Sequence, residues 1–333
     1  MKKKLVAIIF GGRGQERAIS RASAMSLLSS IDRDKYIPYP VMIDRWGIWR
    51  ERGTRGRVLY PARLVGGGCL VIGESRIYPD VAFPILHGDF GEDGTVQGAL
   101  ECASIPYVGC KVTAGAVAAD KILTKELASS LGIPTARAVH ITTHTPIAEA
   151  RLRAEREIGY PMFIKPAGLG SSVGCSLVSS PEDFEAAYLG AALLGERILI
   201  EEYLEGVREL ECAYLNSPTH GEIFTHPGEV SLRGVYTYSE KYDKHSRAVI
   251  HPRADVSASV SERIRELSER LVRALGVRQL ARIDFFLHEG DVILNEINTM
   301  PGFTSGSMYP AMLAEYGISE RELIGELIEG ASC

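Results

Sequence analysis

The chain has 333 residues, a length at which about two domains with separate cores are expected. Hydrophobic residues make up 45% and charged residues 24% of the sequence, so the composition excludes a disordered or fibrous chain. The 42 Asp and Glu outnumber the 37 Lys and Arg, and the net charge of -5 provides no basic field for a nucleic acid or an acidic membrane surface.

The N-terminal third alternates strands, glycine turns and helices. Residues 5–10 are a short apolar run followed by glycines, which predicts a buried strand of a parallel sheet and not a signal peptide. Helices are predicted over 20–28 and 95–102, and a second strand over 81–86. The alternation predicts an open α/β sheet with ligands at the carboxyl ends of its strands.

The loops after these two strands carry candidate ligand groups. The first loop has Arg17 where a dinucleotide fingerprint needs its third glycine, so a nicotinamide enzyme is disfavoured. Its carboxylate, Glu16, is well placed to hold an amino group. His87 begins a glycine- and acid-rich segment that is either a ligand loop or a structural turn.

A second domain is predicted to start near Asp120, where Ile122, Leu123, Leu127 and Leu131 would share one helical face before Gly132. Strands are predicted over 162–165 and 198–201, and a helix begins after Ser180 with a proline at its first position.

A glycine-serine loop, 168–174, follows Lys165. It would cradle a phosphate with its N–H groups and with Ser171 and Ser172, or it is a plain turn. No P-loop pattern occurs in the sequence.

Residues 216–253 are predicted to be irregular, and the tyrosines between 236 and 242 belong either to a lid or to an unremarkable surface. An amphipathic helix is predicted over 260–275, ending before Gly276.

The segments 281–287 and 292–298 predict a β-hairpin. Arg282 and Asp284 share one face of it, as do Glu296 and Asn298. If the loop is 289–291, Asp284 lies opposite Glu296, with Cβ atoms within about 5 Å. Two carboxylates and an amide oxygen suit a magnesium ion that also binds a nucleotide, whereas the alternative is a solvated hairpin face.

Residues 300–308 follow the hairpin and offer N–H groups and hydroxyls to a carboxylate, unless they form a plain turn. The six cysteines contain no C-x-x-C pair, which favours a reduced cytosolic protein. No apolar run approaches the roughly 18 to 20 residues that a membrane-spanning helix needs.

Taken in order, these motifs resemble the D-alanine:D-alanine ligases of the ATP-grasp superfamily over essentially the whole chain. The motifs that carry the resemblance are Phe10-Gly-Gly with Glu16 and Ser20, His87-Gly with Gly91-Glu-Asp-Gly-Thr-Val-Gln-Gly98, Pro106-Tyr-Val-Gly109, Asp120-Lys121, Lys165-Pro with Gly170-Ser-Ser-Val-Gly174, Glu240-Lys-Tyr242, Arg282-Ile-Asp284 and Asn295 to Ser305.

The resemblance implies an α/β, three-domain ATP-grasp fold: an N-terminal open parallel α/β domain (1–119), a central subdomain (120–208) and a C-terminal domain (209–333) with the metal site and the lid. It implies ATP as co-substrate and two Mg²⁺ (or Mn²⁺) ions. The implied ATP-binding residues are Lys121, Lys165, Ser171, Ser172, Glu201, Glu202, Leu204, Glu209 and Lys241, and the implied metal ligands are Asp284, Glu296 and Asn298.

The implied reaction joins two D-alanines through a D-alanyl phosphate. Glu16 would hold the first ammonium, Ser171 and Tyr242 would be hydrogen-bonded to Glu16 and hold the lid closed, and His87 would help to orient that substrate. Arg282 and the N–H of Gly302 would stabilise the oxyanion, and Ser307 with Arg282 would bind the second carboxylate. Met308, where several resistance-type relatives place arginine, favours D-alanine as the second substrate.

The resemblance also implies a cytoplasmic homodimer that serves peptidoglycan synthesis and binds neither nucleic acid nor membrane. A D-alanine:D-serine ligase is the nearest alternative. A non-catalytic ATP-binding regulatory protein and an NAD-dependent oxidoreductase are more distant ones.

Overall fold

The computed structural model describes residues 2–52, 58–170, 172–231, 249–304 and 306–332. The strands in these ranges are β1 (Lys4–Gly11), β2 (Tyr36–Ile43), β3 (Trp49–Arg52), β4 (Val58–Val65), β5 (Cys69–Ile72), β6 (Ser75–Ile77), β7 (Val81–Pro84), β8 (Ala138–Thr142), β9 (Met162–Pro166), β10 (Ser176–Val178), β11 (Arg197–Glu202), β12 (Arg208–Ser217), β13 (Gly221–Phe224), β14 (Gly228–Ser231), β15 (Val249–His251), β16 (Leu280–His288) and β17 (Asp291–Asn298). The helices are α1 (Arg17–Ser30), α2 (Thr95–Ala103), α3 (Val112–Ala119), α4 (Lys121–Ser130), α5 (Ile147–Glu157), α6 (Pro181–Ala192), α7 (Ala258–Leu275), α8 (Met308–Ala314) and α9 (Glu320–Glu329). Among the helices so described, none has the length and apolar character needed to cross a membrane.

The first sheet has the order β6-β5-β4-β3-β2-β1-β7. Its β2-β1-β7 part is parallel, and residues 6–9 of β1 are fully buried, as their apolar run predicts. The sheet as a whole is mixed, because the four strands from β3 to β6 extend it as an antiparallel meander. The candidate ligand loops follow β1 and β7, which are adjacent, so they meet at one edge of the sheet.

The second sheet, β10-β9-β11-β8, is antiparallel and packs against α5 and α6. Its core is its own cluster of buried side chains, in which Phe184 of α6 lies against the strands. Pro181 occupies the first turn of α6, where a missing N–H costs nothing.

The third sheet, β15-β14-β12-β16-β17 with β13 on β12, supports α7. The Ser257 hydroxyl caps α7 by accepting a hydrogen bond from the N–H of Val260, and Gly276 ends the helix at φ 67°. The predicted irregular segment 216–253 is wrong in its described part, because three strands, β13 to β15, lie there.

The first and third sheets share one hydrophobic core. Phe83 of β7 packs edge-on against Phe303 at 5.9 Å, and Phe303 contacts Tyr309 of α8 at 6.0 Å between ring centroids. The hydroxyl of Tyr309 donates to the carbonyl of Tyr214 in β12 at 2.8 Å. This core holds the ends of β1 and β7 beside the segment 300–308.

Helix α4 has two buried sides and not the single predicted face. Leu123 is exposed, although the pattern placed it on the same face as Ile122, which is buried. Ile122 packs on Ala167 and Leu199 of the central part, whereas Ala128 belongs to the core of the third sheet. The helix therefore joins these two parts of the chain.

Candidate functional site

The β16–β17 hairpin aligns polar side chains, and Asp284 pairs with Glu296 as predicted. The predicted three-residue loop is wrong, because His288 pairs with Asp291 across a two-residue turn. Both turn residues, 289 and 290, have positive φ values of 50° and 92°, as tight hairpin turns require. The register then shifts next to Asp284, where a bulge adds one residue to β17 and restores the predicted pairing.

Arg282 is held by two carboxylates. Its Nε and Nη2 donate to the two oxygens of Asp284 at 2.8 and 2.6 Å, and Nε lies 2.9 Å from Oε2 of Glu211. Burial alone would lower the pKa of Arg282. The charges of Asp284 and Glu211 outweigh this effect and hold the pKa well above its ordinary value. Sequence reasoning missed Glu211, which lies on β12 directly beside Asp284.

Asp284, Glu296 and Asn298 form an oxygen-rich donor set. The amide of Asn298 donates to Asp284 at 3.1 Å, which leaves its carbonyl oxygen as a possible ligand. In the described part of the chain, no three His, Cys, Asp or Glu side chains are grouped to hold a metal. Two carboxylates and one amide fit magnesium, which binds few protein groups and takes its other ligands from water and phosphate.

Lys121 lies at the first turn of α4. The Asp120 side chain caps this helix, accepting from the N–H groups of residues 122 and 123, and it also pairs with Arg197. The ammonium of Lys121 donates to the carbonyl of Leu169 at 2.7 Å and lies 3.5 Å from Glu296 Oε2. Lys121 therefore joins the glycine-serine loop to the hairpin.

Lys165 does not lie alone, because Glu201 binds two ammonium groups. Glu201 Oε2 contacts Lys165, and Oε1 lies 2.6 Å from Nζ of Lys125. Burial raises the pKa of Glu201, but Lys165 and Lys125 more than reverse this and lower it to about 2. Sequence reasoning missed Lys125, although its spacing of four residues from Lys121 places both on one side of α4.

Three further predicted ATP-binding residues, Glu202, Leu204 and Glu209, lie where the central part joins the third sheet. Glu202 ends β11 and accepts from the N–H and the Nε of Arg137, each at 2.7 Å. Leu204 is half-buried just after β11, and Glu209 lies near the start of β12. The structure thus places them near one junction.

The glycine-serine loop is only partly described. Ser172 has a positive φ of 59°, and its carbonyl accepts from the N–H of Cys175 at 3.3 Å. The predicted site residues Ser171, Lys241 and Tyr242 lie outside the described residues.

Glu16 lies where the loops after β1, β7 and β9 meet. A Cβ atom on Gly88 would overlap its Oε2, and one on Gly170 would lie 3.4 Å from the same oxygen. Ser20 fixes this corner, since its hydroxyl accepts from the N–H of Gly11 at 2.9 Å and donates to the carbonyl of Ile85 at 2.6 Å. The close approach of the backbone to Glu16 at these two positions leaves no room for a larger residue at Gly88.

His87 is buried behind this corner. Its Nε2 lies 3.0 Å from the hydroxyl of Ser23, and its Nδ1 lies 3.0 Å from the carbonyl of Met300. Both ring nitrogens are therefore used to join α1 to the segment after β17. Its predicted contact with a substrate stays a prediction.

Gly302 and Ser307 are neighbours. The hydroxyl of Ser307 accepts from the N–H of Thr304 at 3.0 Å, and a Cβ atom on Gly302 would crowd that hydroxyl at 2.8 Å. Met308 is only 4% exposed and packs in the shared core beside Gly228. Any influence of Met308 on a substrate would act through packing from this position.

One cavity brings several of these elements together. It is lined by residues of the loop after β7, the α3–α4 junction, the glycine-serine loop and β17: Gly88, Asp89, Glu92, Asp93, Ala118, Ala119, Lys121, Gly168, Gly170, Glu296, Ile297, Asn298 and Thr299. All three sheets thus contribute a flanking loop or strand to it.

The chain matches the family models "D-ala D-ala ligase N-terminus" over residues 5–64 and 70–110 and "D-ala D-ala ligase C-terminus" over residues 127–329. It is 41% identical to D-alanine–D-alanine ligase A of Mesorhizobium japonicum, with 99% of this chain and 98% of that protein covered. It is 40% identical to the D-alanine–D-alanine ligase of Deinococcus radiodurans, with 98% of each covered.

Solved structures are similar over the same extent. The VanG D-Ala:D-Ser ligase from Enterococcus faecalis has a TM-score of 0.87 and 32% identity, covering 98% of this chain and 99% of that one. The D-alanine-D-alanine ligase from Coxiella burnetii also has a TM-score of 0.87, with 29% identity and coverage of 99% and 94%.

The charge of Glu201 should make folding depend on pH. Its pKa of about 2 lies below the ordinary value of 4.5, so its stabilising effect is complete above pH 4.5 and is lost as the pH falls toward 2. We expect Glu201→Gln to lower the free energy of unfolding by about 3 kcal/mol at pH 7, and by progressively less below pH 4.5. Urea unfolding across this range measures it. The exposed Glu205→Gln is the control, and a pH-independent difference would contradict the assignment.

Proposed function

The chain belongs to the D-alanine–D-alanine ligase family, and from this we propose that it joins two D-alanines into D-alanyl-D-alanine at the expense of ATP. One observation supports this most. Gly88 and Gly170 lie beside Glu16, a candidate ammonium site, and both line the cavity shared by Lys121 and Glu296, candidate nucleotide and metal groups. A substrate held by Glu16 would therefore lie next to the nucleotide in the three-sheet ATP-grasp fold.

The first step activates a carboxylate. A carboxylate oxygen of the first D-alanine attacks the γ-phosphorus of ATP, the bond to the β-phosphate oxygen breaks, and ADP leaves. Lys121 and Lys165 would bind phosphate oxygens, which requires exchange of their present carboxylate partners for phosphate. Glu16 would hold the substrate ammonium, with Ser171 and Tyr242 hydrogen-bonded to it and Lys241 on the nucleotide.

The hairpin would carry the metal. Asp284, Glu296 and Asn298 would hold two Mg²⁺ (or Mn²⁺) ions, which neutralise phosphate charge when bound. Asp284 is paired with Arg282 in this structure. If Asp284 left Arg282 to bind metal, the Arg282 guanidinium would still be paired with Glu211.

The second step forms the peptide bond. The neutral amine of the second D-alanine attacks the carbonyl carbon of the acyl phosphate, the bond from that carbon to the phosphate oxygen breaks as the tetrahedral oxyanion collapses, and one amine proton leaves with the phosphate. Arg282 and the N–H of Gly302 would donate to this oxyanion. Ser307 and Arg282 would bind the second carboxylate, and buried His87 would hold the surrounding loops in position. Closure over the site would exclude water, which hydrolyses acyl phosphates.

The nucleotide base would lie at the junction of the second and third sheets, beside Glu201, Glu202, Leu204 and Glu209, with Ser172 at the phosphates. We further propose the domain limits 1–119, 120–208 and 209–333. A cytoplasmic homodimer that supplies peptidoglycan synthesis is the setting proposed for the activity.

A D-alanine:D-serine ligase is the second candidate, because the VanG D-Ala:D-Ser ligase matches this chain over nearly its whole length. Met308 bears on the choice, since it lies in the core directly after Ser307, the proposed second-carboxylate residue.

Product analysis tests the function. Purified protein with ATP, Mg²⁺ and equal D-alanine, D-serine and D-lactate should form mainly D-alanyl-D-alanine, with one ADP and one phosphate per dipeptide. Mass spectrometry identifies the product. A dominant D-alanyl-D-serine product would favour the second candidate, and the absence of D-alanine-dependent ADP release would contradict both.

Glu296→Gln tests the metal assignment. Loss of one carboxylate should lower the rate by about 100-fold or more, because metal ligands control both affinity and phosphate charge. Titration with Mn²⁺, followed by electron paramagnetic resonance in the presence of ADP, should show weaker binding. The matched control is Glu289→Gln on the exposed turn of the same hairpin. Equal Mn²⁺ binding by wild type and Glu296→Gln would reject Glu296 as a ligand.

Gly88→Ala tests the role of Glu16. The new methyl group should displace the Glu16 carboxylate and raise the KM for D-alanine about tenfold or more, the size expected for a charged hydrogen bond. Gly73→Ala is the control, because Gly73 also has a positive φ but no atom lies near its Cβ position. If both variants change KM equally, backbone strain and not Glu16 is responsible.

A further inference from the structure

Lys125, Lys165 and Glu201 form a compact buried cluster, which we call the two-lysine cluster. Lys165 lies on β9 and Glu201 on the adjacent β11, and Lys125 reaches them from α4. Their side chains are only 7–13% exposed. Each oxygen of the Glu201 carboxylate is paired with a different ammonium.

The cluster holds one positive charge more than its carboxylate can neutralise. The nearby carboxylate of Glu202 already accepts two hydrogen bonds from Arg137, and Glu296 faces Lys121. Cys175 also lies near Lys165, but burial raises the pKa of this thiol, which keeps it neutral. The excess charge is available to an anionic ligand.

Binding of a phosphate by Lys165 has a consequence for Glu201. If Lys165 were the sole counter-ion of Glu201, transfer of Lys165 to the phosphate would leave the buried Glu201 carboxylate unpaired, which is strongly unfavourable. Lys125 removes this obstacle. Its ammonium is fixed by the Ala136 carbonyl at 3.1 Å as well as by Glu201, so it stays in place when Lys165 moves.

We propose that Lys125 is a positioning residue for the nucleotide: it stays on Glu201 as counter-ion and thereby releases Lys165 to the phosphates. Lys125 also keeps the Glu201 carboxylate at the proposed base pocket. This inference rests on the proposed function, because that function supplies ATP as the ligand of Lys165.

A purely structural role for Lys125 predicts something different. Through Ala136, Lys125 also ties α4 to the segment before β8. If Lys125 were needed only for that hydrogen bond, its loss would lower the unfolding temperature but would not change the nucleotide affinity of the folded protein. The drop in unfolding temperature would also be the same with or without Glu201.

Nucleotide titration of the full chain separates the two roles. Lys125→Gln removes the charge but keeps an N–H donor, and ADP binding with Mg²⁺ is measured by isothermal titration calorimetry. We expect an ADP affinity about 30-fold weaker, which corresponds to about 2 kcal/mol. In turnover, the KM for ATP should rise while the KM for D-alanine stays the same. Lys125→Met serves the same comparison if the glutamine variant does not fold.

Two further variants supply the controls. Lys125→Arg keeps the charge and should bind ADP within about threefold of wild type. Lys35→Gln changes an exposed lysine that does not line the cavity, and this variant should bind ADP as wild type does. In a Glu201→Gln background no carboxylate needs a counter-ion, so the added Lys125→Gln should weaken ADP binding by less than about threefold.

Three results would overturn the inference. The first is that Lys125→Gln binds ADP with wild-type affinity. The second is that Lys125→Gln weakens ADP binding as much in the Glu201→Gln background as it does in the wild type. Failure of Lys125→Arg to restore affinity is the third. Absence of ADP binding by wild type would instead contradict the proposed function, and with it this inference.

Discussion

The site is organised by the requirement that a charge removed from water must be paired. Glu201 forms ion pairs with two lysines, Glu296 lies near Lys121, and Asp284 accepts two hydrogen bonds from Arg282. Each of these pairs contains a group that the proposed chemistry needs for phosphate, metal or oxyanion. Ligand binding must therefore exchange one set of charge pairs for another, since breaking a buried pair without replacement is strongly unfavourable.

The hydrophobic cores determine which parts of the site are held rigidly together. The first and third sheets share a core, so the corner of Glu16 and the segment 300–308 are fixed relative to each other by apolar packing. The second sheet has a core of its own. Its contacts with α4 include a small cluster of three buried apolar side chains, Ile122, Ala167 and Leu199, and polar contacts of Lys121 and Lys125. Charge pairs thus help to hold α4 against the second sheet, whereas within each core apolar packing holds the elements together.

Local sequence patterns predicted the elements well and the long-range contacts poorly. The apolar runs identified β1, β7, β9 and β11, and the period of α7 identified its buried face, because each pattern spans only a few residues. The segment 216–253 was misjudged because short strands such as β13 and β14 are stabilised by pairing with β12 rather than by their own pattern.

The hairpin shows how a correct site can follow from an incorrect loop. The predicted three-residue loop and the observed two-residue turn differ by one residue, and such a slip would turn Glu296 to the opposite face. The bulge beside Asp284 cancels the slip, so both carboxylates still share one face.

A bulge has no clear signature in one sequence, and neither has the partner of a strand. Glu211 could be found only once β12 was known to lie against β16, and the spacing of Lys125 from Lys121 gave no partner for its charge until α4 was known to lie near β11. Charge pairs are thus assigned from the folded chain even where their members, such as Glu201 and Arg282, are already candidates from the sequence, because pairing depends on distance in space and not in sequence.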